Sequence, residues 1–547
     1  MKYFNEYMGM AMKKRDVSIA ILVLLSWIGL AVFERKINIG RNGGEATHSI
    51  GLTKKIGSAM DKDYVLEIIG LGATLDKYRQ GAIWDALSKG DVYSTVRETD
   101  PKKYPWQAID KMQTFGGREG STLENGADEL PMYWGTPSFN AERLCLNQDY
   151  VDRENEPQSG MVAGVGMSGM IETLFVIGPR ELSERPDKIL EKIFTFFDQN
   201  PDVPYVVLTS EDGPLVRDDY RPEGTKAILE DGYYIPPYPD VSTLFVLARR
   251  ERVDSLRPFV FKDVNRMGDV YVLNEHGIGR RLFLAYLDLK KRVPSPTLNG
   301  PYHVGRQPTF PEWLEEAKKF AARPEIIGSD KLNFYDIKTL GRHHPPRNWK
   351  PTPWFPVPWS EDQLRKFDSL PTLGFLHRPV FIKTSDERGR PLRQRQDREE
   401  ALYRGWQEAL QTLPEAERAI GPVRLAYSTL GNTEQTINFH GLLRQIAAGG
   451  GQKFDPSKQT QVIDTDRRLG DTGATTFFMQ MAIGVIGSYR EGGVSAALNM
   501  RDPLEASLVF ISPPPEDKRG TRFGEDPLKN KSTPVIDPRN YDDPRLH

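Results

Sequence analysis

Residues 173–210 read TLFVIGPRELSERPDKILEKIFTFFDQNPDVPYVVLTS. Thr173–Gly178 is a short continuous apolar run ending in Gly-Pro, as a strand buried on both faces would. In Asp187–Gln199, residues Ile189, Leu190, Ile193, Phe194 and Phe197 fall on one helical face. Tyr205–Ser210 is a second apolar strand, closed by the turn Glu211-Asp212-Gly213. Strand, helix and strand in so short a span form a βαβ unit, which implies parallel strands and a right-handed crossover. The chain is therefore expected to be an α/β protein.

Working outward, Tyr64–Leu71 reads as a strand, and Leu75, Tyr78, Ile83, Trp84 and Leu87 approach helical spacing. Leu244–Ala248 and Tyr271–Leu273 add strand candidates, whereas Asp91–Gln158 carries weak signals. A similar grammar returns downstream. Val380–Lys383, Val423–Ser428, Gln461–Thr465 and Ser507–Ser512 read as strands. Asp397–Leu410 and a segment capped by Thr433 read as helices between them. Thr475–Tyr489, with the core FFMQMAIGVIG, is apolar on nearly all faces and too short to cross a bilayer, so a buried helix is expected.

Between these regions lies His343–Trp359, HHPPRNWKPTPWFPVPW. Proline fixes φ, removes a backbone donor and drives its predecessor out of the helical region, so extended backbone is expected here. Trp349, Trp354 and Trp359 are candidate contacts, either to a partner or between the flanking units. Two short helices flank the run. One covers Pro311–Phe320, and the other is capped by Ser360 with Gln363. The organisation read from these signals is a basic flank (1–16), a hydrophobic segment (17–33) and a tether (34–60). An N-terminal α/β domain (61–293), a proline-rich connector (294–360), a C-terminal α/β domain (361–512) and a polar tail expected to be disordered (513–547) follow.

The hydrophobic segment, VSIAILVLLSWIGLAVF from Val17 through Leu24 and Trp27 to Phe33, would reach roughly 25 Å as a helix. No small-x-small cleavage site follows it, so an uncleaved membrane anchor fits better than a signal peptide, with a buried core helix as the alternative. Lys13, Lys14 and Arg15 on one side balance Arg35, Lys36 and Arg41 on the other, and the positive-inside rule leaves the orientation open.

The chemistry suggested by composition is sparse. A net charge of −2, with no basic run interleaved with aromatics, does not suit a nucleic-acid binder. The single cysteine, Cys145, excludes an intramolecular disulfide and a thiolate metal cluster. Gly164-Val-Gly166-Met-Ser168-Gly169 matches G-x-G-x-x-G but leads into a strand rather than a helix, so a glycine loop is expected, not a dinucleotide site. Ser168 lacks the second flanking glycine of a nucleophile elbow. Glu211 and Asp212, and separately Asp464 and Asp466, close predicted strands, where a hard metal or a phosphorylated ligand could bind; turn formation is the competing role. His343 and His344 are adjacent in a proline segment, and His440 sits on a helix face; neither arrangement has metal-ligand spacing. No catalytic, cofactor or metal residue is assigned.

The segments VLEIIGLGA (65–73), PMYWGTPSFNAERL (131–144), YYIPPYPD (233–240), RLAYSTLG (424–431) and NFHGLLRQIAAGGG (438–451) together resemble the type VI lipase adaptor proteins, which have distinct N-terminal and C-terminal domains. The resemblance implies a non-enzymatic adaptor or chaperone in Gram-negative bacteria. It would bind a phospholipase effector and load it onto the VgrG spike of the type VI secretion system, with no cofactor. It also implies a cytoplasmic location; residues 17–33, read separately as an anchor, would then tether the chain to the inner membrane. Two other readings stay open from the residues alone: an α/β enzyme using the strand-end acids, and a periplasm-facing envelope protein.

Overall fold

The computed structural model describes residues 64–131, 135–142, 175–177, 181–182, 184–219, 221–222, 224–261, 278–293, 308–323, 346, 348–519 and 526–532. Val17–Phe33, Cys145, the glycine loop with Ser168, Tyr271–Leu273, His343 and His344 lie outside these residues. Among the described residues no helix is long and apolar enough to cross a membrane.

Thirteen described strands join one sheet. In the N-terminal half they are β1 (Leu66–Leu75), β2 (Tyr78–Arg79), β3 (Thr136–Glu142), β4 (Phe175–Ile177), β5 (Glu181–Leu182), β6 (Tyr205–Asp212) and β7 (Val241–Ala248). The C-terminal half adds β8 (Gly374–Leu376), β9 (Val380–Lys383), β10 (Arg424–Ser428), β11 (Val462–Asp464), β12 (Ser495–Asn499) and β13 (Glu505–Ser512). The main order is β11-β10-β12-β13-β8-β1-β7-β6-β3-β4. The parallel pairing implied by residues 173–210 is present, with β4 and β6 each running parallel to β3, which lies between them. A second parallel trio, β11-β10-β12, forms the far end of the sheet. The four strands between the trios, β13, β8, β1 and β7, are antiparallel.

The two halves therefore meet by strand pairing. Leu376 of β8 pairs with Leu66 of β1 on one side and with Ile511 of β13 on the other. The mixed α/β class is as expected, but the connector does not hold two sheets apart: a single sheet runs through both halves. The reason is visible in short elements with little local signal. β8 is only three residues long, yet it completes the seam between two much longer strands.

Helices cover the sheet. Thr476–Glu491 is buried along almost its whole length and packs against β10, β12 and β13 of its own half and against β1 and β7 of the other. Its all-round apolar surface is explained by this double cover. Ala108–Ala127, in a region of weak sequence signal, packs on β1 and β7. Small residues permit its close approach: a Cβ on Gly72 would sit 2.0 Å from the Thr122 carbonyl oxygen, and one on Gly126 would sit 2.8 Å from the Gly72 nitrogen. Arg395–Leu410 and Thr433–Ala448 pack together around a separate apolar cluster in the C-terminal half. The main apolar cluster joins residues of both halves, from Leu66 to Leu528.

Local capping follows the sequence in part. Ser360 and Gln363 form the expected capping box of Glu361–Ser369. The helix attributed to a Thr433 cap is instead capped by Asn432, whose side chain accepts from the N–H groups of Glu434 (2.9 Å) and Gln435 (3.2 Å). The tail is a correction for one stretch. Leu528 is buried, and its carbonyl accepts from Gly81 N–H at 3.0 Å, so residues 526–532 are docked rather than disordered.

Candidate functional site at the seam of the two halves

The strand-end acids singled out in the sequence are engaged within the chain, and Asp212 bonds across the seam. Asp212, at the end of β6, is buried. Its Oδ1 accepts from Arg217 Nε (2.6 Å) and from Gly213 N–H (2.7 Å). Its Oδ2 accepts from Ala474 N–H at 2.7 Å, across the seam. Ala474 belongs to the 3-10 turn Gly473–Thr475 that opens the long buried helix, so Asp212 caps an element of the opposite half. Gly473 is required there: its φ is +50°, and a Cβ would lie 1.7 Å from Asp212 Oδ2. The network continues through Arg217 Nη2 to Asp471 Oδ2 (3.5 Å) and from Arg501 Nη2 to Asp471 Oδ1 (2.7 Å), with Tyr238 stacked 3.5 Å from the Arg217 guanidinium. Burial raises the Asp471 carboxyl, but Arg501 and Arg217 outweigh it and hold the group below the usual carboxylate range.

The other strand-end acids are similarly engaged. Asp464 caps Thr465–Leu469, accepting from Arg467 N–H at 3.1 Å, and accepts from Tyr427 OH at 3.2 Å. Asp466 accepts from Ser428 Oγ (2.6 Å) and Thr429 N–H (2.8 Å); burial nevertheless pushes its carboxyl up. Glu211 lines a cavity of about 10 Å³ with Glu119, Asn140, Thr209, Ser210 and Ser242, room for about one water. Burial, with Glu142 and Asp240 nearby, pushes the Glu119 carboxyl up. Among the described residues no group of three or more histidine, cysteine or acidic side chains is arranged to hold a metal. His440 is exposed, its ring 5.6 Å from that of its neighbour Phe439.

The tryptophans of the connector face inward. Trp354 and Trp359 are each 1 % exposed, and Trp349 packs at the margin of the core. Trp354 Nε1 donates to Asn200 Oδ1 at 2.9 Å, and its ring meets Phe196 and Phe310 edge-on at 5.7 and 5.3 Å. Trp359 lies 5.1 Å from Phe367, which stacks on Tyr205 of β6 at 5.8 Å. Trp349 meets Phe259 at 5.1 Å. The connector is thus folded back onto the N-terminal half.

Two arginines that the sequence reading missed complete the junction. Arg185 bonds Asp187 (2.7 Å) beside it and Asp502 (3.0 Å), Glu505 (2.9 Å) and Ser507 (2.7 Å) across the seam. Arg378 reaches from the C-terminal half to Glu191 (3.0 Å) and Asp198 (3.2 Å) on Ile189–Gln199, stacking over Phe194. No local pattern marks either residue as a junction, because their cross-seam partners are far away in sequence. A cleft of about 370 Å³ also opens along the seam, lined in part by Arg250, Asp368, Thr372 and Tyr489. Two of its charged groups are paired: Arg250 with Glu67 at 2.9 Å and Asp368 with Arg257 at 2.8 Å.

The arrangement makes the two halves one mechanical body with a composite surface. Comparison with known proteins separates the same two regions. The family described as type VI lipase adapter protein Tla3, N-terminal, matches residues 64–231, and its counterpart, type VI lipase adapter protein Tla3, C-terminal, matches residues 373–513. Solved structures overlap only loosely. The ishigamide ketosynthase/chain length factor is 10 % identical over 82 % of this chain and 99 % of its own, with a TM-score of 0.38. A ketosynthase from module 6 of the bacillaene synthase of Bacillus subtilis is 7 % identical over 83 % and 71 %, with a TM-score of 0.40. Human mitochondrial 3-ketoacyl-CoA thiolase is 11 % identical over 84 % and 100 %, with a TM-score of 0.33. Overlaps at this level carry no argument about chemistry. The two family matches together cover more than half of the 547 residues, in the order the family names require, and the chain belongs to the type VI lipase adapter protein family.

Proposed function

We propose that this chain is a non-enzymatic adaptor that captures a phospholipase effector and delivers it to the VgrG spike of a type VI secretion system. The observation that carries the reading is the match of the adapter family to both halves. The structure supports it physically. A carrier that must hold one protein and present it to another gains from rigidity, because a surface already ordered loses less entropy on binding. Shared strand pairing, the buried helix that covers strands of both halves, and the Asp212, Arg185 and Arg378 contacts all supply that rigidity. The acids at the strand ends serve as caps and ion-pair partners within the chain, which favours a scaffold over a metal-dependent enzyme. Capture before secretion would place the bulk of the chain in the cytoplasm, with Val17–Phe33 as its tether to the inner membrane.

The test is binding of the purified full chain, immobilised by its C-terminus, to the phospholipase encoded beside it and, separately, to the spike protein. Specific saturable binding of both is expected. Binding of neither, with both proteins folded, would overturn the reading.

A further inference from the structure

Most of the described aromatic residues of the connector and core are buried, but Tyr93 is 67 % exposed, in a turn on the N-terminal half. That turn is held in place. Asp91 Oδ1 accepts from Tyr93 N–H at 2.6 Å, and the Asp91 carbonyl accepts from Ser94 N–H at 3.1 Å. The next residues are bound to the other half: Thr95 Oγ1 and Val96 N–H donate to the Arg468 carbonyl at 3.1 and 2.9 Å. This contact brings the C-terminal half's Arg467 over the Tyr93 ring, its guanidinium 5.4 Å from the ring centre. Arg467 is exposed, and among the described residues no carboxylate forms an ion pair with it. The acids on or beside the same two elements have other partners: Asp91 serves the Tyr93 turn, Asp464 caps the Arg467 backbone and binds Tyr427, and Asp466 binds Ser428 and Thr429.

A second apolar element is tied to the same turn. Arg97 binds Asp76 through Nε (3.1 Å) and the Pro236 carbonyl through Nη2 (2.8 Å). The buried Lys111 donates to the carbonyls of Trp106, Glu230 and Gly232 at 2.8–2.9 Å. These bonds fix a loop that exposes Tyr233 (38 %) and Ile235 (39 %), followed by Pro236 and Pro237. Three of the described exposed large hydrophobic residues thus sit on two fixed loops linked by Arg97; Leu284, Ile420, Leu430 and Ile437 lie on other elements.

We propose that Tyr93 and Arg467, with the Tyr233–Pro237 loop beside them, form the docking surface for a carboxylate-bearing, partly apolar segment of the phospholipase. This deepens the adaptor reading and rests on it. Arginine and tyrosine at a pre-ordered position are the residue types that dominate protein interfaces. An exposed guanidinium with no ion pair among the described residues selects a carboxylate, and the flanking apolar groups select a hydrophobic neighbour to it. Tyr93 and Arg467 come from different halves, so the surface exists only when the halves are joined as they are here.

The experiment is calorimetric titration of the full chain with the purified phospholipase, for the unaltered protein, Arg467→Glu, Arg467→Lys and Tyr93→Ala. Melting temperatures and elution volumes are recorded alongside. Arg467→Glu is expected to weaken binding about 100-fold and Tyr93→Ala about 10-fold, with Arg467→Lys intermediate and melting unchanged. Wild-type affinity in both Arg467→Glu and Tyr93→Ala overturns this surface while leaving the adaptor reading standing. Loss of spike-protein binding with phospholipase binding intact overturns the named occupant, as does a change in self-association alone. Failure of the unaltered chain to bind the phospholipase overturns both.

Discussion

The connector and the Tyr93 turn use the same kind of residue in opposite ways. Trp354 and Trp359 are buried against Phe196, Phe310 and Phe367, and they help close the core that both halves share. Tyr93 stands in solvent under an arginine from the other half. An aromatic, proline-rich stretch suits a partner surface and an internal clamp equally well in composition. What separates the two is what the backbone places around the ring.

The comparison gives an ordered set of perturbations. The largest effect is expected from Trp354→Ala, which removes a fully buried indole and its bond to Asn200: a loss of about 3 to 5 kcal/mol in denaturant unfolding. A change below about 1 kcal/mol would show that the connector is a spacer. Asp212→Ala is next, at about 3 kcal/mol, because it leaves Arg217 without its buried partner and Ala474 N–H without its acceptor. The loss should be shared by both halves, seen as a single transition shifted downward rather than two separate ones.

A third perturbation is acid. His377 is buried at the seam between the Thr412 carbonyl (2.8 Å) and Ser512 Oγ (2.7 Å), and burial pushes it down to about 4 from an ordinary 6.5. The unfolded chain then binds more protons than the folded one between those values, so stability falls as pH drops from 6.5 to 4, by at most about 3 kcal/mol. His377→Gln should flatten that slope; an unchanged slope would assign it to other groups. The smallest effect belongs to the exposed side. Tyr93→Ala should change stability by no more than about 0.5 kcal/mol, checked by the same unfolding curves. A large loss would mean that the turn is a structural strut.

Much of the local structure was legible. Residues 173–210 carried the parallel crossover, FFMQMAIGVIG its buried helix, and Ser360 with Gln363 a capping box, because each is encoded by nearby side chains. β3 was not legible: TPSFNAE has proline, asparagine and glutamate, and its burial comes from neighbours on both sides. Nor was the helix Ala108–Ala127, whose glycines serve a close approach to β1. The seam itself was invisible for the same reason. Leu376 against Leu66, Asp212 against Ala474 and Tyr93 under Arg467 are pairs separated by hundreds of residues. Asp212 and Asp464 do end their strands, whereas Asp466 lies in the following helix; the cap on Ala474 was out of local reach because it is 262 residues from Asp212.

The central claim is that this chain bridges two other proteins. It is tested most directly by pulling down the VgrG spike from cells that make the phospholipase, with and without this chain. The account predicts that the phospholipase is recovered with the spike only when the chain is present, and that all three elute together from a sizing column. Equal recovery of the phospholipase in its absence would contradict it.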